Sequence, residues 1–416
     1  MSKLKRYLIS IICLFISNIT FSQYTGTGSI TKGNASVSNS NLYICTSGRI
    51  TNLGTISSTD NKTWEVPAKV NFSNSSFPFA SDLNNVCNGN NYSNTTAALA
   101  ALNGSDIITI DTDGEIITAF VFADNYFEIY INGVAVGKDK VPFTQFNSSI
   151  VRFKVKRPFI IAMQLVDWEE NLGLGSENNN GFAYHSGDGG MVAVFKDSKN
   201  NIIAKTDNSW KAQTYYISPI QDLTCPQEIG NQRLTNNCST QDVNDGSKFY
   251  GIHWVKPSGW MNANFNDFDW PSAASFSNTS VGINNKPSYT NFADIFDDVI
   301  NDAQFIWSSN LILDNEVLVR YTVPESITAI TTQLLFNHLK IYPNPSSDES
   351  IFIEFGDLYS NAQVNIFNLE GQKLLTFKCI DLKNKINIST LNDGVYFVKI
   401  MIDGKEKIEK LIINEK

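Results

Sequence analysis

Asn132-Gly133 lies between two apolar runs in "YFEIYINGVAVG" and constrains the chain more than any other pair of residues. A two-residue turn of this composition takes positive φ at both central positions, and its twist suits an antiparallel hairpin. Before the turn, Phe127, Ile129 and Ile131 share one face at period two, with Tyr126, Glu128 and Tyr130 on the other. Val151, Phe153 and Val155 alternate in the same way with Arg152, Lys154 and Lys156. "FIIAMQLVDW" is a continuous apolar run, as in a strand buried on both faces, and "GGMVAVF" follows a Gly-rich turn. This spacing predicts an all-β chain whose body, residues 96–322, is an antiparallel jelly-roll-like sandwich. Residues 23–95, rich in Gly, Ser, Thr and Asn, predict short strands and long loops ahead of it. One helix is predicted over 291–303, where Phe292, Ile295, Phe296 and Val299 keep helical spacing.

Residues 1–22 read as a secretory signal peptide. Lys3, Lys5 and Arg6 precede a short apolar run, and Thr20-Phe-Ser22 places small residues where a signal peptidase reads them. No later segment is long and apolar enough to span a membrane as a helix. Export also suits the cysteines, because an oxidising compartment permits disulfides. Cys45 with Cys87 and Cys225 with Cys238 are the sequence-near pairs, but sequence does not fix connectivity. The net charge of −9 argues against nucleic acid and anionic membranes as partners, and removing the basic leader leaves the body more acidic still.

At "IYPNP", residues 341–345, the chain stops and begins again after a linker read at 323–339. "SIFIEF", "AQVNIFN", "KINIS" and "GVYFVKI" are short strands of a small β-sandwich. The order "YPNP", "VNIFNLEGQKLL", "INISTLNDGVYFVKI" and the Lys-rich end resembles the C-terminal sorting domain of type IX secretion cargo in Bacteroidota, over residues 340–416. The resemblance marks Tyr342, Pro343, Asn344, Pro345, Gly394 and Tyr396 as motif positions. It implies transport across the outer membrane by that machinery, with release or attachment at the cell surface.

A second, looser resemblance covers about 115–320. "ADNYFEIYINGVAVG", "KTDNSWKAQ", "SGWMNANFNDFDWPSA" and "AQFIWSSN" follow one another as in jelly-roll accessory domains of the galactose-binding-like class, found beside glycoside hydrolases such as rhamnosidases. The segment 171–190 and the cysteine loop at 225–238 depart from that pattern. Trp210, Trp270 and Trp307 lie in the recurring segments and read as core anchors.

Candidate ligand residues are Tyr126, Glu128 and Tyr130, on the polar face of their strand, with Trp168 beside an irregular stretch. Two tyrosines at this spacing can pack on sugar rings while their hydroxyls hydrogen-bond. Arg152, Lys154 and Lys156 form a basic stripe. Asp111, Asp113 and Glu115 surround a Gly turn and are the candidate ligands of a calcium ion, although EF-hand spacing is missing. For catalysis the candidates lie in 167–190: Asp167, Glu169, Glu170, His185 and Asp188. A glycosidase needs two carboxyls held at a fixed separation, and no such pair can be named from sequence. The leading expectation is a non-catalytic carbohydrate-binding protein with an extracellular glycan as partner. The rivals are a polysaccharide-degrading enzyme and a structural adhesin.

Overall fold

The computed structural model describes residues 24–45, 48–143, 146–297, 302–325, 336, 339–355, 362–379, 381–402 and 405–414. The leader at 1–22, Val299, His338 and most of the linker lie outside the described residues. The chain divides into two compact units, Met1–Val323 and Pro324–Lys416.

In the first unit two antiparallel sheets carry most of the strands. Sheet I runs in the order Ser29–Lys32, Tyr250–His253, Lys211–Ile220, Asp314–Val323, Phe159–Val166, Tyr126–Ile131, Val134–Lys138. Sheet II runs Ala274–Phe276, Phe305–Trp307, Gly190–Lys196, Glu115–Asp124, Ser148–Val155, Ser81–Asn85, Asn90–Asn91. A smaller sheet joins Ser36–Tyr43, Thr51–Ser57 and Thr63–Val66. Residues 24–95 are therefore no separate region. Ser29–Lys32 pairs with Tyr250–His253 and Ser81–Asn85 with Ser148–Val155, which weaves the early chain into both sheets.

The Asn-Gly turn forms as its composition demands. Asn132 has φ 50° and Gly133 φ 87°, and Val134 pairs with Ile131 across them. Phe127, Ile129 and Ile131 are fully buried. Val151, Phe153 and Val155 are buried while Arg152 and Lys154 are not. Trp210 and Trp307 are fully enclosed, and Trp270 nearly so.

Of the helix expected over 291–303, the described residues form one turn, Ala293–Phe296, preceded by another at Pro287–Thr290, and residues 298–301 lie outside the described residues. Phe292, Ile295 and Phe296 are buried, so the apolar spacing serves packing, while Asp297 ends the second turn in a non-helical conformation. Two disulfides form, Cys45–Cys87 and Cys225–Cys238, and Cys379 is a buried free thiol.

The second unit is a sandwich of a three-stranded sheet (Lys340–Tyr342, Ser350–Glu354, Lys383–Asn387) and a four-stranded one (Lys373–Cys379, Ala362–Phe367, Gly394–Ile402, Lys405–Ile413). Ile351, Ile353, Val364, Ile366, Val398, Ile400 and Leu411 fill its core. The motif residues tie its ends together. The Tyr342 hydroxyl donates to Glu354 at 2.6 Å, and its ring lies on Phe352. Asn344 donates to the Lys410 carbonyl at 2.6 Å and accepts from the Ile412 amide at 3.0 Å, so its side-chain amide pairs with the last strand as a backbone amide would. Pro343 and Pro345 flank it in cis peptides. Gly394 opens the strand that carries Tyr396, whose hydroxyl donates to the Asn392 carbonyl at 2.7 Å.

Candidate functional site

The aromatic strand face proposed from sequence is interior. Tyr126 and Glu128 are fully buried, and Tyr130 is 8% exposed. Residues 69–79 cross this face of sheet I. Glu128 accepts from the Asn71 amide, from Asn71 Nδ2 at 2.9 Å, from Tyr126 at 3.0 Å and from Tyr130 at 2.8 Å. The buried Lys138 ammonium donates to the carbonyls of Asn71, Phe72 and Asn74, which holds the cover from the other side. A lone buried carboxylate is strongly unfavourable, and four donors make this one tolerable. Tyr126 and Tyr130 thus spend their hydroxyls on Glu128 and offer no face to a sugar. Trp168 is also fully buried, its Nε1 donating to the Asn52 carbonyl at 3.0 Å. Sequence reasoning missed the cover because its residues are distant in sequence and too polar to read as a second layer.

The calcium candidates do not converge. Asp113 pairs with Lys156 at 2.6 Å, Glu115 with Arg157, and Asp111 accepts from the Lys156 amide at 2.9 Å. Among the described residues no group of three His, Cys, Asp or Glu side chains is arranged to hold a metal ion. The basic stripe is spent locally as well, since Arg152 donates to the Asn103 carbonyl and Lys154 to that of Thr112.

Part of the 167–190 segment lines a cleft. Three strand ends meet at one end of the sandwich. Glu115–Asp124 of sheet II ends at Asp124, and the chain crosses through Asn125 into Tyr126–Ile131 of sheet I. Phe159–Val166 pairs with that strand, Val166 opposite Tyr126, so Asp167 emerges beside Asn125. Gly190 pairs with Asp124, which brings Asp188 alongside. Glu177 and His185 face each other across the hairpin of Glu177–Asn179 and Phe182–His185. The result is a cleft of about 320 Å³ lined by Asp124, Asp167, Glu169, Glu177, His185 and Asp188, with Arg49, Lys286, Phe143 and Phe146.

Backbone contacts fix the carboxyls. Asn125 donates to Asp124 Oδ1 at 2.7 Å and accepts from the Trp168 amide at 2.5 Å, coupling the two strand ends. The Gly187 amide donates to Glu169 Oε1 at 2.8 Å, and a Cβ on Gly187 would collide with that same oxygen. Asp124, Asp167 and Glu169 are 3%, 2% and 4% exposed. Asp167 Oδ2 is buried and has no hydrogen-bond partner.

Burial therefore dominates the electrostatics. It raises Asp167 well above the ordinary carboxyl range, helped by the charges of Asp124, Asp188 and Glu177. It raises Asp124 likewise, with Asp188, Glu169 and Glu177 adding and Lys286 opposing. Glu169 rises through burial and then Asp167 and Glu177, against the Gly187 amide and Arg49. Asp188 is pushed up to about 6 by burial, with His185 and Lys286 opposing and Glu177 adding. Glu177 is raised by burial although Arg49 pairs with it. A carboxyl that carries a proton can both donate and accept, and a cluster of raised carboxyls in a cleft is a candidate functional site. Glu170 stays outside it, accepting from the Asn178 amide at 2.7 Å. Asp124 was missed from sequence, although a carboxyl closing the apolar run "FVFA" was a signal in hindsight.

A wider groove of about 440 Å³ on sheet I includes Tyr215, Arg233 and Trp270. The Arg233 guanidinium lies on the rings of Tyr215 (4.7 Å) and Trp254 (4.4 Å), and Tyr215 is only 3% exposed. Its aromatic surface is already covered.

Residues 340–414 match the family described as the secretion system C-terminal sorting domain, so the chain carries a type IX export signal and is directed to the cell surface or beyond. No curated protein matches the sequence. Among solved structures, a β-glucuronidase from an uncultured Clostridium sp. is 10% identical over 72% of this chain and 32% of its own, with TM-score 0.14. The BSP domain of a biofilm associated protein is 10% identical over 73% of this chain and 76% of its own, with TM-score 0.20. The β-glucuronidase of Faecalibacterium prausnitzii is 10% identical over 93% and 45%, with TM-score 0.16. The chain spans less than half the length of these glucuronidases, and likeness at this level carries no argument about activity.

Proposed function

Starting from export through the C-terminal sorting domain, we propose that the first unit is a non-catalytic glycan-binding β-sandwich whose ligand sits in the carboxyl-lined cleft. The observation that supports this most is Asp167. Its Oδ2 is buried and unpartnered where the cleft runs between strand ends. Leaving a buried polar atom unpaired costs about 1–3 kcal/mol, so a ligand that supplies a donor there recovers that loss. Sugar hydroxyls are both donors and acceptors and match carboxyls that carry a proton part of the time. Phe146 lines the cleft with its ring stacked on Phe122 and the Lys286 ammonium 4.3 Å from its centre, and Phe143 is buried.

A second reading has one observation behind it. Asp167 and Glu169 are both raised, Glu169 in part by the Asp167 charge, and paired carboxyls are what glycosidic hydrolysis uses. One experiment separates the two. The purified chain is run through gels loaded with soluble polysaccharides, and the same mixtures are assayed for new reducing ends. Retardation without products, weakened in Asp167→Asn, is the expected result. New reducing ends that disappear in Glu169→Gln would make the cleft an active site. Retardation that survives Asp167→Asn and Glu169→Gln unchanged would move binding to another surface.

A further inference from the structure

We propose that the glycan bound in the cleft carries a free primary ammonium, as an unacetylated amino sugar does; this rests on the cleft being the glycan site. The argument begins with charge. Five carboxyls line the cleft, against Arg49, Lys286 and His185. Arg49 is held by Glu177, and His185 Nδ1 lies 2.8 Å from Asp242, outside the cleft lining. Lys286 rests its ammonium 4.3 Å from the centre of the Phe146 ring. Asp124, Asp167, Glu169 and Asp188 thus face Lys286, the cleft-lining cation that no carboxylate holds in an ion pair among the described residues.

Burial and mutual repulsion penalise ionisation of Asp124, Asp167 and Glu169 and favour their protonated forms, whereas Asp188, at about 6, is largely ionised at pH 7.5. A cation entering the cleft takes over from those protons and lets the carboxyls ionise around it. The geometry argues for an extended organic cation over a bare ion. Among the described residues no three acidic, His or Cys side chains are arranged to ligate one metal, although five carboxyls face the same space. An ammonium carries three donors on one atom and can reach an unpartnered oxygen such as Asp167 Oδ2 while the rest of its molecule spans the cleft. Size limits that molecule. At about 320 Å³ the cleft is at the lower end of small-ligand sites, room for about one sugar residue. Asn179 suits a hydroxylated ring better than a bare alkyl amine.

The test is calorimetric titration of the full chain at pH 7.5 with a glucosamine oligomer, its fully N-acetylated counterpart and calcium chloride. Acetylation removes the charge and keeps the ring. The expected result is binding of the amine form about tenfold or more tighter than the acetylated form, the scale of one charge-assisted hydrogen bond. Asp167→Asn should abolish that preference. Lys286→Gln, which removes the competing ammonium from a partly exposed position, should strengthen amine binding several-fold and so does not depend on a damaged fold. Equal affinity for both oligomers would overturn the ammonium requirement and leave glycan binding standing. Binding of neither oligomer would overturn both. A response to calcium chloride alone would overturn the proposal in favour of a metal site.

Discussion

Asp188 offers the sharpest test of the cleft's electrostatics. Its carboxyl is pushed from 3.8 up to about 6, first by burial and then by Glu177, against His185 and Lys286. A group whose pKa is higher folded than unfolded stabilises the fold fully below its unfolded value and loses that contribution as pH rises through the folded one. At 1.36 kcal/mol per pH unit, the gap amounts to about 3 kcal/mol lost between roughly pH 4 and pH 7. Asp188 keeps some solvent contact, which screens part of this and brings the expected range to about 1–3 kcal/mol. Asp188→Asn has the same shape and no titration. It should match the wild type at pH 4 and exceed it at pH 8. For a unit of this size 1 kcal/mol moves the melting temperature by about 2 °C, so the gain at pH 8 should be about 2–6 °C. Thermal unfolding of both chains at the two pH values measures it, and loss of the Asp188 charge also eases ionisation of Asp124 and Asp167, which adds in the same direction. A variant that melts lower at pH 8, or by the same offset at both pH values, would refute the reasoning.

The buried network on sheet I predicts the opposite sign. Glu128→Ala leaves the hydroxyls of Tyr126 and Tyr130 and both Asn71 donors without their acceptor, and should cost about 3 kcal/mol or more, read as a lower urea midpoint. Replacing Cys225 and Cys238 together by Ser opens a loop with a sequence separation of 13 and should cost about 3 kcal/mol while leaving retardation by glycan unchanged. Removing residues 340–414 should leave the chain on the inner side of the outer membrane; fractionation that finds it at normal levels in the medium would contradict the export signal. Asn344→Ala removes the side chain that pairs with Lys410 and Ile412, and should lower export through a loosened tail, seen as faster proteolysis of the tail.

Local physics was legible in the sequence. Asn132-Gly133 could adopt two successive positive φ values at little cost, so the hairpin turn followed from two residues, while beyond Ala135 a bulge shifts the register. Period-two alternation named the inward side chains of Val151–Val155, whereas in Tyr126–Ile131 both faces are buried. The tail announced itself because its motifs are short local strings, Tyr342–Pro345 and Gly394–Tyr396, although Asn344 bonds to the last strand 66 and 68 residues on. Alternation says which side chains share a face, but it cannot say what covers that face. For Tyr126, Glu128 and Tyr130 the answer lay some 55 residues earlier, at Asn71, in a segment with no apolar pattern. The cleft belongs to the same class of fact. Asp124, Asp167 and Asp188 close or precede three strands in two sheets, and only strand pairing brings them to one end of the sandwich. Sequence by itself determined the strands, the turn and the address, because those depend on neighbours within a few residues. The tertiary structure alone decided which polar residues are buried and which carboxyls share a cavity, because burial and charge repulsion depend on distance through space.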